Sequence, residues 1–254
     1  MPDLELTIAD HIAWLTLNRP AARNALSPAL LESLIDVCET LRTDEQVRVV
    51  VVRGSGPVFS AGADLVSFMA RLHGDEALAV ADLGRRAALA LLDLPQISIA
   101  AIEGHCIGGG LVLASSCDLR WAAPNAWFSV PELDLGIPLA WGGMQRLIEL
   151  VGETLAVDLV VTCRRLDAAS AVSCGLLSTI LEGDFAAELA SQVASVAERP
   201  TGVLRTTKKQ LQAIRAGRFD ARADAAASLT AHGDPDSQKA ALDYMARKAS
   251  RSKT

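Results

Sequence analysis

Two short turns hold most of the chemical content of this 254-residue chain. Phe59-Ser60-Ala61-Gly62-Ala63-Asp64 and His105-Cys106-Ile107-Gly108-Gly109-Gly110 each follow an apolar, strand-like run. Glycines that open a helix leave backbone N–H donors unpaired at the positive end of the helix dipole, and without Cβ atoms a ligand oxygen can come within hydrogen-bonding distance. Two such turns aimed at one point make an oxyanion hole, a pair of donors for negative charge developing on a carbonyl oxygen. Glycine runs also allow close helix packing, so either turn alone leaves both readings open.

Other reactive side chains stand near the turns. Cys106 adjoins the second one, but the sequence puts no base beside it, and free Cys is commonly a small buried hydrophobe. His105 and His73 carry imidazoles, a side chain that can serve as a general base. Asp134 reads as a solvated or capping carboxylate. Trp141, just before Gly142-Gly143, either narrows a pocket or fills the core.

The elements that must hold these residues are legible in the hydrophobic pattern. Leu4, Leu6 and Ile8, then Ile12, Trp14 and Thr16, alternate with period two across Ala9-Asp10 and predict an antiparallel hairpin. Ser27-Pro28 offers a cap and an N1 proline for a helix to about Arg42, with Leu30, Leu31, Leu34, Ile35, Cys38 and Leu41 on one face. The β-branched run from Val47 to Arg53 predicts a buried strand feeding the first turn. Asp75 to Leu92 reads as one helix ended by Pro95, and Ile97 to Ile102 as the strand feeding the second turn. A helix follows from Gly109 to Ser116, then short strands at Asp118 to Ala122 and Trp127 to Ser129. The recurring strand–strand–helix unit favours a spiral of ββα turns over a strict βαβ order. From Trp141 onward strand signals nearly vanish, and helices are expected to Arg247.

Composition excludes several function classes. Half of the residues are hydrophobic, which at this length suggests one sizeable core. A net charge of −6 argues against nucleic acid as a partner; the only basic cluster is the tail, Arg247-Lys248 with Arg251 and Lys253. Five cysteines without a Cys-x-x-Cys pair suggest neither a disulfide framework nor a zinc site, and a reducing cytoplasm is the default location. No signal peptide is evident at Met1-Pro2-Asp3. The stretch from Ile97 to Cys117 comes nearest to a membrane span, but Glu103, His105 and the glycines interrupt it, and it reads as strand, turn and core helix.

The two turns, with Asn18-Arg19-Pro20 before Asn24-Ala25-Leu26 and with Pro131-Glu132, resemble the crotonase (enoyl-CoA hydratase/isomerase) family from about Ile12 to Lys248. The resemblance implies an α/β fold, a crotonase-like ββα spiral over 1–195, and a helical C-terminal region over 196–254 that packs against neighbouring subunits in a homotrimer or homohexamer. It implies an acyl-CoA thioester as the partner, coenzyme A being part of the substrate, with no separate cofactor and no metal. The hole donors it implies are the amides of Ala63 and Gly109. Arg23, Ala25, Ala61, Asp64 and Leu65 match positions along the coenzyme A channel, and Gly108, Val112 and Pro131 join the substrate-binding set.

The family's acids fall unevenly on this chain. Its hydratases place one carboxylate two residues after the second turn, where Val112 stands, and another twenty residues later, where Glu132 stands. Its dienoyl isomerases use a third acid eight residues beyond, where this chain has Ala140. One glutamate and an apolar wall suit a double-bond shift, which needs a single proton carrier and profits from excluding water. Weak hydration with one glutamate and non-catalytic acyl-CoA binding are the alternatives.

Overall fold

The structure is a computed structural model that describes residues 2–251; Met1 and residues 252–254, including Lys253 of the basic tail, lie outside the described residues. β1 (Leu4–Ala9) and β2 (Ile12–Leu17) pair antiparallel, Leu4 opposite Leu17 and Ala9 opposite Ile12. Asp10 and His11 between them both have positive φ, the geometry of a tight two-residue hairpin turn. The predicted first helix is α1 (Pro28–Thr43), with the Ser27 hydroxyl accepting from the Leu30 amide and the six expected apolar residues buried.

β3 (Val49–Gly54) joins β2 in parallel and leads through the first turn into α2 (Leu65–Met69), α3 (Ala77–Ala81) and α4 (Leu83–Leu92). The single helix expected from Asp75 to Leu92 is thus two helices preceded by a short 3-10 turn at Gly74–Glu76, and α2 was not foreseen. The apolar spacing continues through both pieces, so periodicity alone could not show the break. β4 (Ile97–Ile102) runs into β5 (His105–Ile107) and then α5 (Gly109–Ser116). The segment expected as strand, turn and core helix is that, with the turn itself carrying a strand. β6 (Leu119–Ala122) and β7 (Trp127–Ser129) repeat the move from one sheet to the other.

The remaining elements are α6 (Gly143–Val151), α7 (Glu153–Thr162), β8 (Leu166–Asp167), α8 (Ala168–Ser173), β9 (Thr179–Ile180), α9 (Phe185–Ala197), α10 (Thr201–Arg215), α11 (Ala223–Gly233) and α12 (Pro235–Arg251). The two strands among them correct the all-helical expectation for this half; at two residues each they are too short to carry a period. Among the described residues, one sheet has the order β1-β2-β3-β4-β6-β9, parallel from β2 onward, and a second has β5-β7-β8. Each of β4 and β6 lies in the first sheet while its successor, β5 or β7, lies in the second, which is the expected ββα spiral.

The main sheet is covered on both faces. Val50 and Val52 point into the core with α1, α4 and α5, while Val49 and Val51 meet Leu189 and Val193 of α9. Two buried faces are why β3 reads as an unbroken valine run rather than an alternating one. No helix among the described residues is long and apolar enough to cross a membrane.

Candidate active site

The two glycine turns are stitched side by side. Ser60 bridges to Cys106: its amide donates to the His105 carbonyl at 3.1 Å, and its carbonyl accepts from the Ile107 amide at 3.1 Å. The Ser60 hydroxyl donates to the Asn24 carbonyl (2.8 Å) and accepts from the Gly62 amide (3.2 Å), tying the first turn to the chain before α1. Buried Asn24 donates through its side chain to the carbonyls of Ser55 (3.0 Å) and Val58 (2.7 Å), locking the entry to the same turn. In the sequence both Asn24 and Ser60 appear only as members of motifs, without a positioning role; polar side chains beside a glycine turn were the available signal.

This stitching aims the two expected donors. The Gly62 carbonyl and the Asp64 amide both bond to Leu26, at 2.8 and 3.0 Å, so the Ala63 amide between them faces the other side of the strand. Gly109 is the first residue of α5, and its amide has no acceptor in its own helix. Among the described residues neither amide donates to another group. The turns are close enough that a Cβ on Gly62 would stand 3.7 Å from the Gly109 nitrogen.

Ala63 and Gly109 both border a cavity of about 290 Å³ between α2, α3, the start of α5 and the loop at 132–141. Ala63, Leu65, Gly109, Val112 and Glu132 of the expected site line it, and so does Ala140. The three positions at which the family carries acids therefore meet in one cavity, and only Glu132 is a carboxylate. Gly108, at φ +49, lies under that carboxylate: a Cβ there would stand 2.5 Å from Glu132 Oε1. Glu132 Oε2 is buried and without a hydrogen-bond partner. Burial pushes the carboxyl above the usual glutamate range, partly offset by its own backbone amide. Pro131, half-buried, precedes it and sets the entry to the turn whose Leu135 and Ile137 amides donate to the Glu132 carbonyl.

The other expected contacts lie outside the cavity. The Arg23 carbonyl accepts from the Ala61 amide at 2.9 Å, and Arg23 is exposed; the Ala25 carbonyl accepts from Arg19 Nη1 at 2.6 Å. Asp64 caps α2 through the Ser67 amide (3.1 Å) and pairs with Arg19 (2.9 Å). Burial opposes its charge, but the Ser67 amide and the Arg19 guanidinium outweigh that and hold its carboxyl below the usual range.

The remaining candidate bases and nucleophile do not reach the cavity. His105 packs against Trp127 at 5.0 Å between ring centroids, and burial followed by the charges of Arg23 and Arg165 lowers its basicity. Buried Cys106 has its thiol pushed well above the ordinary value by burial, and Asp134 and His73 are exposed. Phe68, Leu72 and Ala81 line the cavity unannounced, because the sequence reading began its helix after most of them. Their helical spacing with Leu65 was the signal that could have found them.

Such an arrangement can hold a carbonyl oxygen on two amides and move a proton with one carboxylate in an apolar enclosure. The protein-family model described as enoyl-CoA hydratase/isomerase matches residues 7–248. The chain is 37% identical over 210 residues to the 2,3-dehydroadipyl-CoA hydratase of Escherichia coli strain K12, covering 83% of this chain and 81% of that one. It is 34% identical over 183 residues to the mouse mitochondrial Delta(3,5)-Delta(2,4)-dienoyl-CoA isomerase, covering 68% and 56%. A protein of Thermobifida fusca solved in complex with CoA superposes with a TM-score of 0.78 at 32% identity, covering 96% of this chain and 95% of that one.

Proposed function

This chain belongs to the enoyl-CoA hydratase/isomerase family of acyl-CoA enzymes, and from that membership we propose that it moves a double bond of an enoyl-CoA from the 3- to the 2-position with Glu132 as its proton carrier. The observation that carries the reading is the lone carboxylate: Glu132 faces a cavity in which Val112 and Ala140 take the other two acid positions. The thioester oxygen accepts from the amides of Ala63 and Gly109. Glu132 takes a proton from C2 of the 3-enoyl thioester, and the electron pair delocalises into a dienolate whose oxygen charge the two amides stabilise. Protonated Glu132 then returns the proton to C4, leaving the double bond between C2 and C3. Nothing is consumed, and no water or cofactor enters the balance. Arg23, Ala25, Ala61 and Asp64, on the outer side of the first turn, border the channel for the coenzyme A part.

Hydration is the second reading, favoured by the hydratase names of several relatives, including that of Escherichia coli. It needs a water held and deprotonated on one face of the alkene, and the isopropyl group of Val112 cannot do this. The purified protein is expected to convert trans-3-hexenoyl-CoA faster than it hydrates trans-2-hexenoyl-CoA. In Val112→Glu, hydration is expected to rise by about tenfold or more, as a second positioned acid–base group allows. The new carboxylate costs roughly 1–3 kcal/mol if it lacks a partner, so folding is checked first. A wild-type protein that hydrates faster than it isomerises would overturn the reading.

A further inference from the structure

Trp141 stands out among the residues that line the cavity. It is a bulky residue at φ +60, a backbone conformation that side chains of its size rarely adopt, and it is followed by Gly142 at φ +77. Its indole fills the space where a Cβ on either Gly84 of α4 or Gly109 of α5 would stand, and it meets the Phe68 ring at 5.8 Å. The ring is thus wedged between two glycines on different helices. Behind it lies a second cavity of about 280 Å³, bordered by Ala88, Leu92, Ser116 and Arg146. Trp141 and Val112 are the two residues that line both cavities.

We infer that the indole of Trp141 is the end wall between the acyl pocket and this second cavity, and so limits the length of acyl chain that the protein binds. The inference rests on the reading that the first cavity takes an acyl-CoA tail. The volumes support a limit: a cavity of about 150 Å³ takes one benzene, so about 290 Å³ holds roughly twelve carbons, thioester included. Removing the indole would join the two spaces and nearly double that room. The lining of the second cavity is mixed: Ala88, Leu89 and Leu92 are apolar, and Arg85, Gln145 and Glu149 are polar or charged. The lining cations are already paired, Arg146 with Glu149 (2.9 Å) and the Ser115 carbonyl (2.6 Å) and Arg85 with Asp82 (2.6 Å), so a methylene chain entering the cavity takes no partner from either.

The test is a binding titration with saturated thioesters, which needs no turnover: hexanoyl-CoA and tetradecanoyl-CoA against wild type, Trp141→Ala and the milder Trp141→Leu, each checked for a wild-type circular dichroism spectrum. Wild type is expected to bind tetradecanoyl-CoA no more tightly than hexanoyl-CoA, because its fourteen carbons exceed the room in front of the indole. In Trp141→Ala the preference for tetradecanoyl-CoA is expected to rise by about tenfold or more, because each further buried methylene strengthens binding, with a smaller rise in Trp141→Leu. Adding Ala88→Met to Trp141→Ala, which refills the second cavity, should take the gain away. Folded variants whose preference stays within about twofold of wild type would overturn the wall. A wild type that already favours tetradecanoyl-CoA by tenfold would do the same. Failure of wild type to bind hexanoyl-CoA at all would overturn the acyl-CoA reading itself, a different result from an unchanged preference.

Discussion

Glu132 carries its carboxyl into an apolar enclosure with one oxygen unpaired, and this sets both its chemistry and its cost. Burial raises its pKa in the folded state above that in the unfolded chain. Between the two values the folded protein holds a proton that the unfolded chain has released. Stability from this group is therefore fully present below the unfolded value and lost as pH rises through the folded one. Glu132→Gln, which stays neutral, is expected to melt higher than wild type near pH 7.5, with the difference closing below about pH 4. In the same variant, double-bond isomerisation should fall on the order of a hundredfold or more. Wild-type kcat/KM should climb with pH to a plateau, its midpoint above the ordinary glutamate range. A variant with full rate, or a melting difference that does not depend on pH, would remove Glu132 from this role. The position of Glu132 was legible through the family resemblance, but its unpaired oxygen was not. Nothing in the string of residues says that a loop folds a carboxylate over Gly108.

At the scale of elements, α10 is clasped to the core by charge rather than by apolar area. Lys208, fully buried, donates to Asp118 Oδ2 at 2.6 Å, Arg215 approaches Oδ1 at 3.4 Å, and the Ser98 amide and hydroxyl also donate to Oδ2. Asp118 sits between α5 and β6 and Ser98 lies on β4, so the clasp anchors α10 to the main sheet. Burial lowers the basicity of the Lys208 amine, and the Asp118 charge opposes that. Lys208→Ala leaves a buried carboxylate short of its main partner and is expected to cost about 3–5 kcal/mol. Thermal melts should drop, and limited proteolysis should cut first in the exposed segment 216–222 after α10. Unchanged melting and cleavage would show that the clasp contributes nothing. Helical spacing predicted α10 itself, but a lysine on an amphipathic helix normally reads as solvated, so its ion pair, 90 residues from Asp118 in the chain, was not legible.

Over the whole molecule, the C-terminal helices leave large apolar side chains in solvent. Leu229 on α11 and Leu242 and Met245 on α12 are each more than 60% exposed, against the usual scattering of single surface hydrophobes. The homotrimer or homohexamer implied by the family resemblance would cover them. Sedimentation velocity is expected to find an assembly larger than a dimer at micromolar concentration. The double substitution Leu242→Asp with Met245→Asp is expected to shift it toward monomer, and a monomeric wild type would sink the expectation.

Long periodic segments and paired glycine turns were enough to fix the hairpin, α1, β3, β4, α5 and the ββα order, because each is specified by patterns local to a few turns of chain. The family resemblance added two amide donors and one acid as candidates. The three-dimensional packing alone decided that Val112, Glu132 and Ala140 share one cavity, that His105 turns to Trp127 instead of joining them, and that the Trp141 ring is wedged between Gly84 and Gly109. It decided β5, β8 and β9 as well, since strands of two or three residues exist only through the partners they pair with. Contacts between residues distant in the chain leave no period to read, and burial, an unpaired oxygen or a wedged ring are properties of such contacts rather than of any residue.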